Sequence, residues 1–306
     1  MAVIGKMNIP IVLIIYNRPN YTYRLLKCIN RFKFNKLYII SDGPKDNHLD
    51  INLVKKTRSL INQKIKTKKV IKIYSKFNLG LRNRIITGLN EVFKKEKSAI
   101  ILEDDCLPTE EFFSFIKQML KKYKQDKKIS SICGSNHFSS WENKGSSYLM
   151  SKYFNSWGWA TWQDRWQKIN FNNEELLHDK NNYKFISQIG SYRALFYWRF
   201  ILKKIMNNKI SSWAYTYNYY NFIKKKYHII PNQNLINNIG IGVKSTNTKT
   251  LPIKYHFDRL KKKKTNFFIF KFDKFNFNNY DKEVENKIFS KSLTNRIKWL
   301  FGIKIL

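Results

Sequence analysis

Three consecutive carboxylates, Glu103, Asp104 and Asp105, close the short apolar run Ala99–Leu102. Neighbouring acids repel one another, so a chain that needed only to stop a strand has little reason to use three. A hard divalent cation such as Mg2+ or Mn2+ among their oxygens relieves that repulsion. A solvated acidic turn is the plain alternative, and the surrounding sequence has to choose between them.

The elements that would position these acids are legible upstream. Ile9–Tyr16 is a β-branched run read as a buried first strand, broken by Asn17-Arg18-Pro19-Asn20. Tyr23–Phe32 carries apolar residues at helical spacing. Leu37–Ile40 is a second strand, stopped by Ser41-Asp42-Gly43-Pro44, and Ile51–Ile65 a mixed helix. Val70–Tyr74 is a third strand, ended by Asn78-Leu79-Gly80-Leu81, and Asn83–Phe93 a further helix. The fourth strand delivers the acids. Strand and helix thus alternate at crossover lengths that demand parallel pairing. Parallel strands put their polar ends on one edge, where ligands of open α/β sheets collect. Four polar clusters on that rim make a site of nucleotide size.

Composition narrows the class. The chain has 306 residues, with 58 Lys+Arg against 21 Asp+Glu and a formal charge of +37. Such a balance favours anionic partners, nucleotides or an anionic membrane surface. The accompanying Ile and Asn suit an A/T-rich coding bias, which weakens the charge as a sign of nucleic-acid binding. Three cysteines without C-x-x-C spacing read as reduced thiols of a cytoplasmic protein. No run approaches the roughly 18 apolar residues of a membrane span.

The ordered set Tyr16-Asn17-Arg18-Pro19, Ser41-Asp42-Gly43-Pro44-Lys45, Asn78-Leu79-Gly80-Leu81 and Leu102-Glu103-Asp104-Asp105 resembles nucleotide-sugar glycosyltransferases of the GT-A fold. Bacterial family-2-like enzymes related to the N-acetylglucosaminyltransferase I group are the nearest likeness. It continues through Ile132–Asn136, the block Ser156–Trp166, Ser212-Trp213, Asn234–Gly240 and Thr246-Asn247-Thr248, and covers about residues 9–248. The implied fold is α/β, a GT-A (Rossmann-like), mostly parallel sheet with helices on both faces, followed by a basic C-terminal tail. The implied activity is inverting, metal-dependent transfer from a nucleotide-sugar, UDP-linked by first expectation, to a polysaccharide or glycolipid precursor.

By the same resemblance Arg18 and Asp42 hold the base and neighbouring phosphate, Asp104 faces the ribose, and Asp105 ligates Mn2+ or Mg2+. Glu103 and Asn78 complete the donor set. Local explanations stand beside these roles. Arg18 could be a solvated loop cation, Asp42 an Asx-turn residue ahead of Gly43-Pro44, and Asn78 a cap for the next helix.

The catalytic base is less well marked. Phe154–Trp166 packs four tryptophans, readable as core or as a wall for an acceptor sugar. Asp164 lies inside that block and is the base candidate, with Glu174, Glu175 and Asp179 behind it. Relatives often carry Thr-His-Thr where this chain has Asn247, and acids where it has Ala214 or Leu195-Phe196-Tyr197.

The domain reading is 1–250 catalytic, with a nucleotide-binding half of about 1–108 and an acceptor half of about 109–250. The remainder, 251–306, reads as a basic aromatic tail whose Lys287–Leu300 forms an amphipathic helix for an anionic inner-membrane face. A helix docked on the catalytic domain is the other reading. Two rival classes are a basic nucleic-acid-binding protein and a sugar nucleotidyltransferase. The latter would want a Gly-rich first loop where this chain has Asn17-Arg18-Pro19.

Overall fold

A computed structural model of the chain describes residues 8–67, 69–138, 140–141, 146–172, 185–207, 209–240 and 277–289. Its first half alternates as the apolar runs require: β1 (Ile11–Ile15), α1 (Pro19–Ile29), β2 (Lys36–Ser41), α2 (His48–Lys64), β3 (Lys69–Tyr74), α3 (Gly80–Phe93) and β4 (Ser98–Glu103). Pro19 opens α1, earlier than the apolar spacing alone indicates, because its fixed φ suits a first helical turn. A short β5 (Cys106–Pro108) leads into α4 (Glu110–Lys122), which Thr109 caps by accepting from the Phe112 amide at 3.3 Å.

The second half adds β6 (Ile129–Cys133), β7 (Tyr148–Ser151), β8 (Trp159–Trp162), α5 (Gln163–Trp166), α6 (Tyr192–Met206), α7 (Trp213–Ile223), β9 (Tyr227–Pro231), β10 (Ile236–Asn238) and α8 (Phe277–Val284). A π-helical turn, Glu285–Phe289, continues α8.

Eight strands form one mixed sheet in the order β3-β2-β1-β4-β8-β6-β9-β7. The pairings β1·β2, β2·β3, β1·β4 and β6·β9 are parallel, while β8 enters antiparallel between β4 and β6. The fold is therefore α/β and Rossmann-like. Both faces are buried, as side-chain alternation along β1 shows. Ile11, Leu13 and Ile15 join Leu25, Leu26, Phe112 and Ile116 of α1 and α4. Val12 and Ile14 join Ile85, Leu89, Trp213 and Tyr217 of α3 and α7.

Two features differ from or extend the sequence reading. Three of the block's four tryptophans are core: Trp159, Trp162 and Trp166 are buried, and Trp159 stacks on Trp213 with ring centroids 5.3 Å apart, while Trp157 is only partly buried. Segment 277–289, grouped by sequence with a tail, is packed into the domain through buried Tyr280, Val284 and Phe289. Its acids explain why, since Asp281 accepts from Ser151 Oγ and the Lys152 amide, and Glu285 from Tyr153 at 2.7 Å. Most of the Lys287–Leu300 helix, and Asn247, lie outside the described residues. Cys28, Cys106 and Cys133 are all free thiols. Among the described residues no helix is long and apolar enough to cross a membrane.

Candidate functional site

The carboxyl ends of β1, β2, β3 and β4 share one edge, and side-chain hydrogen bonds tie their loops together in two sets. The first set joins β1 to β4. Arg18, in the N-cap position of α1, spreads its guanidinium over the acids that follow β4. Its Nε donates to Asp104 Oδ2 and its Nη1 to Asp105 Oδ2, both at 3.1 Å, while Nη2 pairs with Asp104 Oδ1. Such a fork is the geometry in which a guanidinium holds carboxylates best. The Tyr21 ring lies 5.2 Å from Arg18 Cζ on the same turn of chain.

Burial sets the electrostatics of this group. Desolvation pushes the Asp104 carboxyl up to about 7, against the pull of Arg18, with Asp105 adding to the rise. Glu103 is pushed up to about 8 by burial and then by Asp105 and Asp104. Burial also disfavours charge on Arg18, but Asp104 and Asp105 more than offset it and raise its pKa. Contact with the two acids thus keeps Arg18 charged.

The second set joins β2 to β3. Asp42 is buried, and its oxygens accept from the amides of Gly43 at 3.0 Å and of Leu79 and Gly80 at 2.9 Å each. It therefore satisfies the open N–H groups at the start of α3 from a neighbouring strand. Gly80 has φ +76°, a conformation that side chains resist, and this turns its amide toward Asp42. Asn78 does not cap α3. Its Nδ2 instead crosses to Tyr16 Oη at 2.9 Å and the Gly43 carbonyl at 2.8 Å. Arg58 staples the same loops from α2, donating to Ser41 Oγ and to the carbonyls of Asp42 and Ser75.

Several participants escaped the sequence reading. Asp50 accepts from Tyr16 Oη and Asn17 Nδ2 at 2.5 Å each and from the Lys45 amide at 2.6 Å, linking the first loop to α2. Burial alone would raise its carboxyl, but those hydrogen bonds outweigh it and hold the pKa below the usual range. The signal was present: Asn47 with an acid three residues on is a helix-start pattern, and Asn47 Oδ1 accepts from the Asp50 amide at 2.9 Å.

Asn238 and Gly240 are the other two. β10 pairs antiparallel with β5, setting Asn238 opposite Cys106 and carrying the chain over Asp105. Asn238 Nδ2 lies 3.5 Å from Asp105 Oδ1, and the Ile239 amide donates to the Asp105 carbonyl at 2.9 Å. A Cβ on Gly240 would collide with the Asp105 carboxylate, so only glycine permits this approach.

Asp164 is not brought to this edge. Trp162 pairs with Ser98, at the start of β4, so Asp164 lies beyond the opposite end of that strand. Five residues of strand, about 17 Å, separate Ser98 from Glu103. There Asp164 bonds Lys127 at 2.5 Å and Arg165 at 2.7 Å in a cleft also lined by Lys168 and Lys226. Burial would raise its pKa, but hydrogen bonds from Lys127 and Arg165 prevail and lower it, unlike a base poised near neutrality. Glu174, Glu175 and Asp179 lie outside the described residues.

The acids can be tested for a divalent cation. Among the described residues no three His, Cys, Asp or Glu side chains converge into a metal-binding group. Glu103 ends the strand, and of the turn acids Asp104 and Asp105, both held by Arg18, Asp104 has both its oxygens engaged by the guanidinium. Mg2+ needs no such cage, because it commonly takes one or two carboxylates and completes its shell with substrate phosphates and water. Asp105, its side chain 13% exposed, fits that role beside Arg18.

No protein-family model matches the chain. Among solved structures it is similar to the mannosyltransferase PcManGT from Pyrobaculum calidifontis in complex with GDP-Man and Mn2+, at TM-score 0.37 and 9% identity over 72% of this chain and 70% of that one. It is also similar to an apo UDP-glucose pyrophosphorylase, at TM-score 0.34 and 12% identity over 76% and 93% of the two chains. A third is 4-diphosphocytidyl-2C-methyl-D-erythritol synthase from Anaerococcus prevotii, at TM-score 0.31 and 11% identity over 51% and 72%. At these scores the likenesses carry no argument about activity.

Proposed function

We propose that this chain is a metal-dependent glycosyltransferase that moves a sugar, with inversion, from a UDP-linked donor to a polysaccharide or glycolipid precursor. The observation that carries the reading is the meeting of Arg18 with Asp104 and Asp105 at the carboxyl edge of the parallel strands, under Asn238 and Gly240. In this reading the Arg18 fork turns to the donor diphosphate. Asp104 accepts from ribose hydroxyls, and Asp105, with the donor's phosphate oxygens, holds Mn2+ or Mg2+. The bound cation supplies Lewis-acid stabilisation of the departing diphosphate. Asp42, Asn78 and Arg58 keep the loops in place without touching the reacting atoms, and Asp164 has no part in the proposal. The charge of +37 would hold the protein at an anionic membrane surface where such acceptors lie.

A sugar nucleotidyltransferase shares the sheet and the acids. It would need a first loop whose backbone amides wrap a triphosphate. Here the first loop is Asn17-Arg18-Pro19-Asn20, without a glycine and with a proline that has no amide to offer, which favours the transferase reading. The test is an incubation with UDP-, GDP- and dTDP-sugars and Mn2+, following both nucleoside diphosphate release and pyrophosphate-driven nucleoside triphosphate formation. The expected result is diphosphate release that EDTA abolishes. Triphosphate formation would overturn the reading in favour of the nucleotidyltransferase.

A further inference from the structure

Arg18 and a divalent cation need the same carboxylate. Both oxygens of Asp104 and Oδ2 of Asp105 are engaged by the guanidinium, and the Arg18 side chain is only 28% exposed. A cation entering alone must displace Arg18 from Asp105, since a divalent cation and a guanidinium at about 4 Å repel by about 8 kcal/mol even at an intermediate effective dielectric. The fork would give up its Asp105 contact, keep Asp104 and stay partly buried beside the cation, a costly position for a charge. A nucleotide diphosphate removes both difficulties. It gives the fork new oxygens to hold and gives the cation the ligands that one carboxylate lacks.

We propose that Arg18 makes cation binding conditional on the nucleotide diphosphate, by occupying the cation's carboxylate until a diphosphate draws it away. This rests on the function proposed above and adds that cation and nucleotide enter as a coupled pair. Linkage makes the coupling reciprocal, and coupling between sites typically amounts to about 5- to 150-fold in affinity. Arg18 is thus a positioning residue that also selects for ligands bearing a diphosphate.

The test is Mn2+ binding followed by electron paramagnetic resonance and calorimetry, without nucleotide and with UDP or GDP. It uses the full chain, Arg18→Gln and Arg18→Lys. Wild type should bind Mn2+ alone weakly and at least about fivefold more tightly with the diphosphate. Arg18→Gln should bind Mn2+ alone about tenfold more tightly than wild type and gain correspondingly less from nucleotide than wild type does. Arg18→Lys, which keeps the charge without the fork, should stay weak for Mn2+ alone. If Arg18→Gln binds Mn2+ alone no more tightly, while nucleotide still tightens Mn2+ in both proteins, the inference is refuted and the proposed function stands. Should Arg18→Gln fail to fold, equal wild-type affinities with and without diphosphate would refute it on their own. If wild type binds neither nucleotide nor Mn2+ in any combination, the proposed function falls and takes this inference with it.

Discussion

Asp42 and Gly80, 38 residues apart, are joined by a 2.9 Å hydrogen bond from the Gly80 amide to Asp42 Oδ2. That bond fastens the loop leaving β2 to the first turn of α3. The first-named role of Asp42, contact with a nucleotide, would use oxygens that backbone amides already occupy. Asp42→Ala would leave the Leu79 and Gly80 amides without their partner, and lost helix caps cost about 0.5–2 kcal/mol. The expected outcome is a lower unfolding midpoint in urea together with weakened donor binding. An unchanged midpoint with donor binding lost would instead mark Asp42 as a direct ligand.

Asp164→Asn should have little effect on turnover. Its partner Lys127 is more than half exposed, and surface ion pairs contribute about 0–1 kcal/mol. Steady-state kinetics on the variant check this, and a fall of about 10²-fold or more would restore Asp164 as the base.

Ending the chain at Thr250 should destabilise the domain. Tyr280, Val284 and Phe289 would be lost, and burying one such apolar side chain fully contributes about 1.5–3 kcal/mol. Calorimetric melting should show a clear drop in Tm or no cooperative transition. A truncated chain melting like the full one would mean that segment 277–289 adds nothing to the core.

The parts legible in sequence were those that local chemistry dictates. β1 to β4 are short apolar runs bounded by Asn, Asp, Gly and Pro, and their parallel order follows from the helices between them. β8 was not legible: Trp159–Trp162 is buried at all four positions, so no alternation marks it as a strand. Its place between β4 and β6 depends on partners far away in the chain. The same holds for Asn238, 133 residues from the carboxylate it approaches. Asp281 and Glu285 were lost to view among lysines, although acids spaced four apart in a basic tail could have marked a docked helix face.

His228 gives the fold a pH dependence of defined sign. It is wholly buried with Nδ1 at 2.7 Å from Ser131 Oγ, and burial, aided by His137, pulls its pKa down to about 3. The unfolded chain takes up a proton near pH 6.5 that the folded one refuses, so stability from this group is complete above that pH and falls below it. Between pH 7.5 and 5 the loss is about 2 kcal/mol. Buried carboxyls such as Asp281, raised to about 6, act in the opposite direction, so the comparison must be with His228→Gln. Urea unfolding at both pH values should show the variant losing about 2 kcal/mol less than wild type across the window. Equal losses would mean His228 is protonated in the fold.

The central claim is that Asp105 anchors a cation–diphosphate pair at the strand edge, and calorimetry of UDP and GDP binding in Mn2+ tests it most directly. Wild type should bind one of the two with an affinity that EDTA reduces at least about tenfold. Asp105→Asn should show that weaker binding whether or not Mn2+ is present, while its circular dichroism matches wild type. Wild-type binding that is indifferent to EDTA, or Asp105→Asn binding that still responds to Mn2+, would contradict the account.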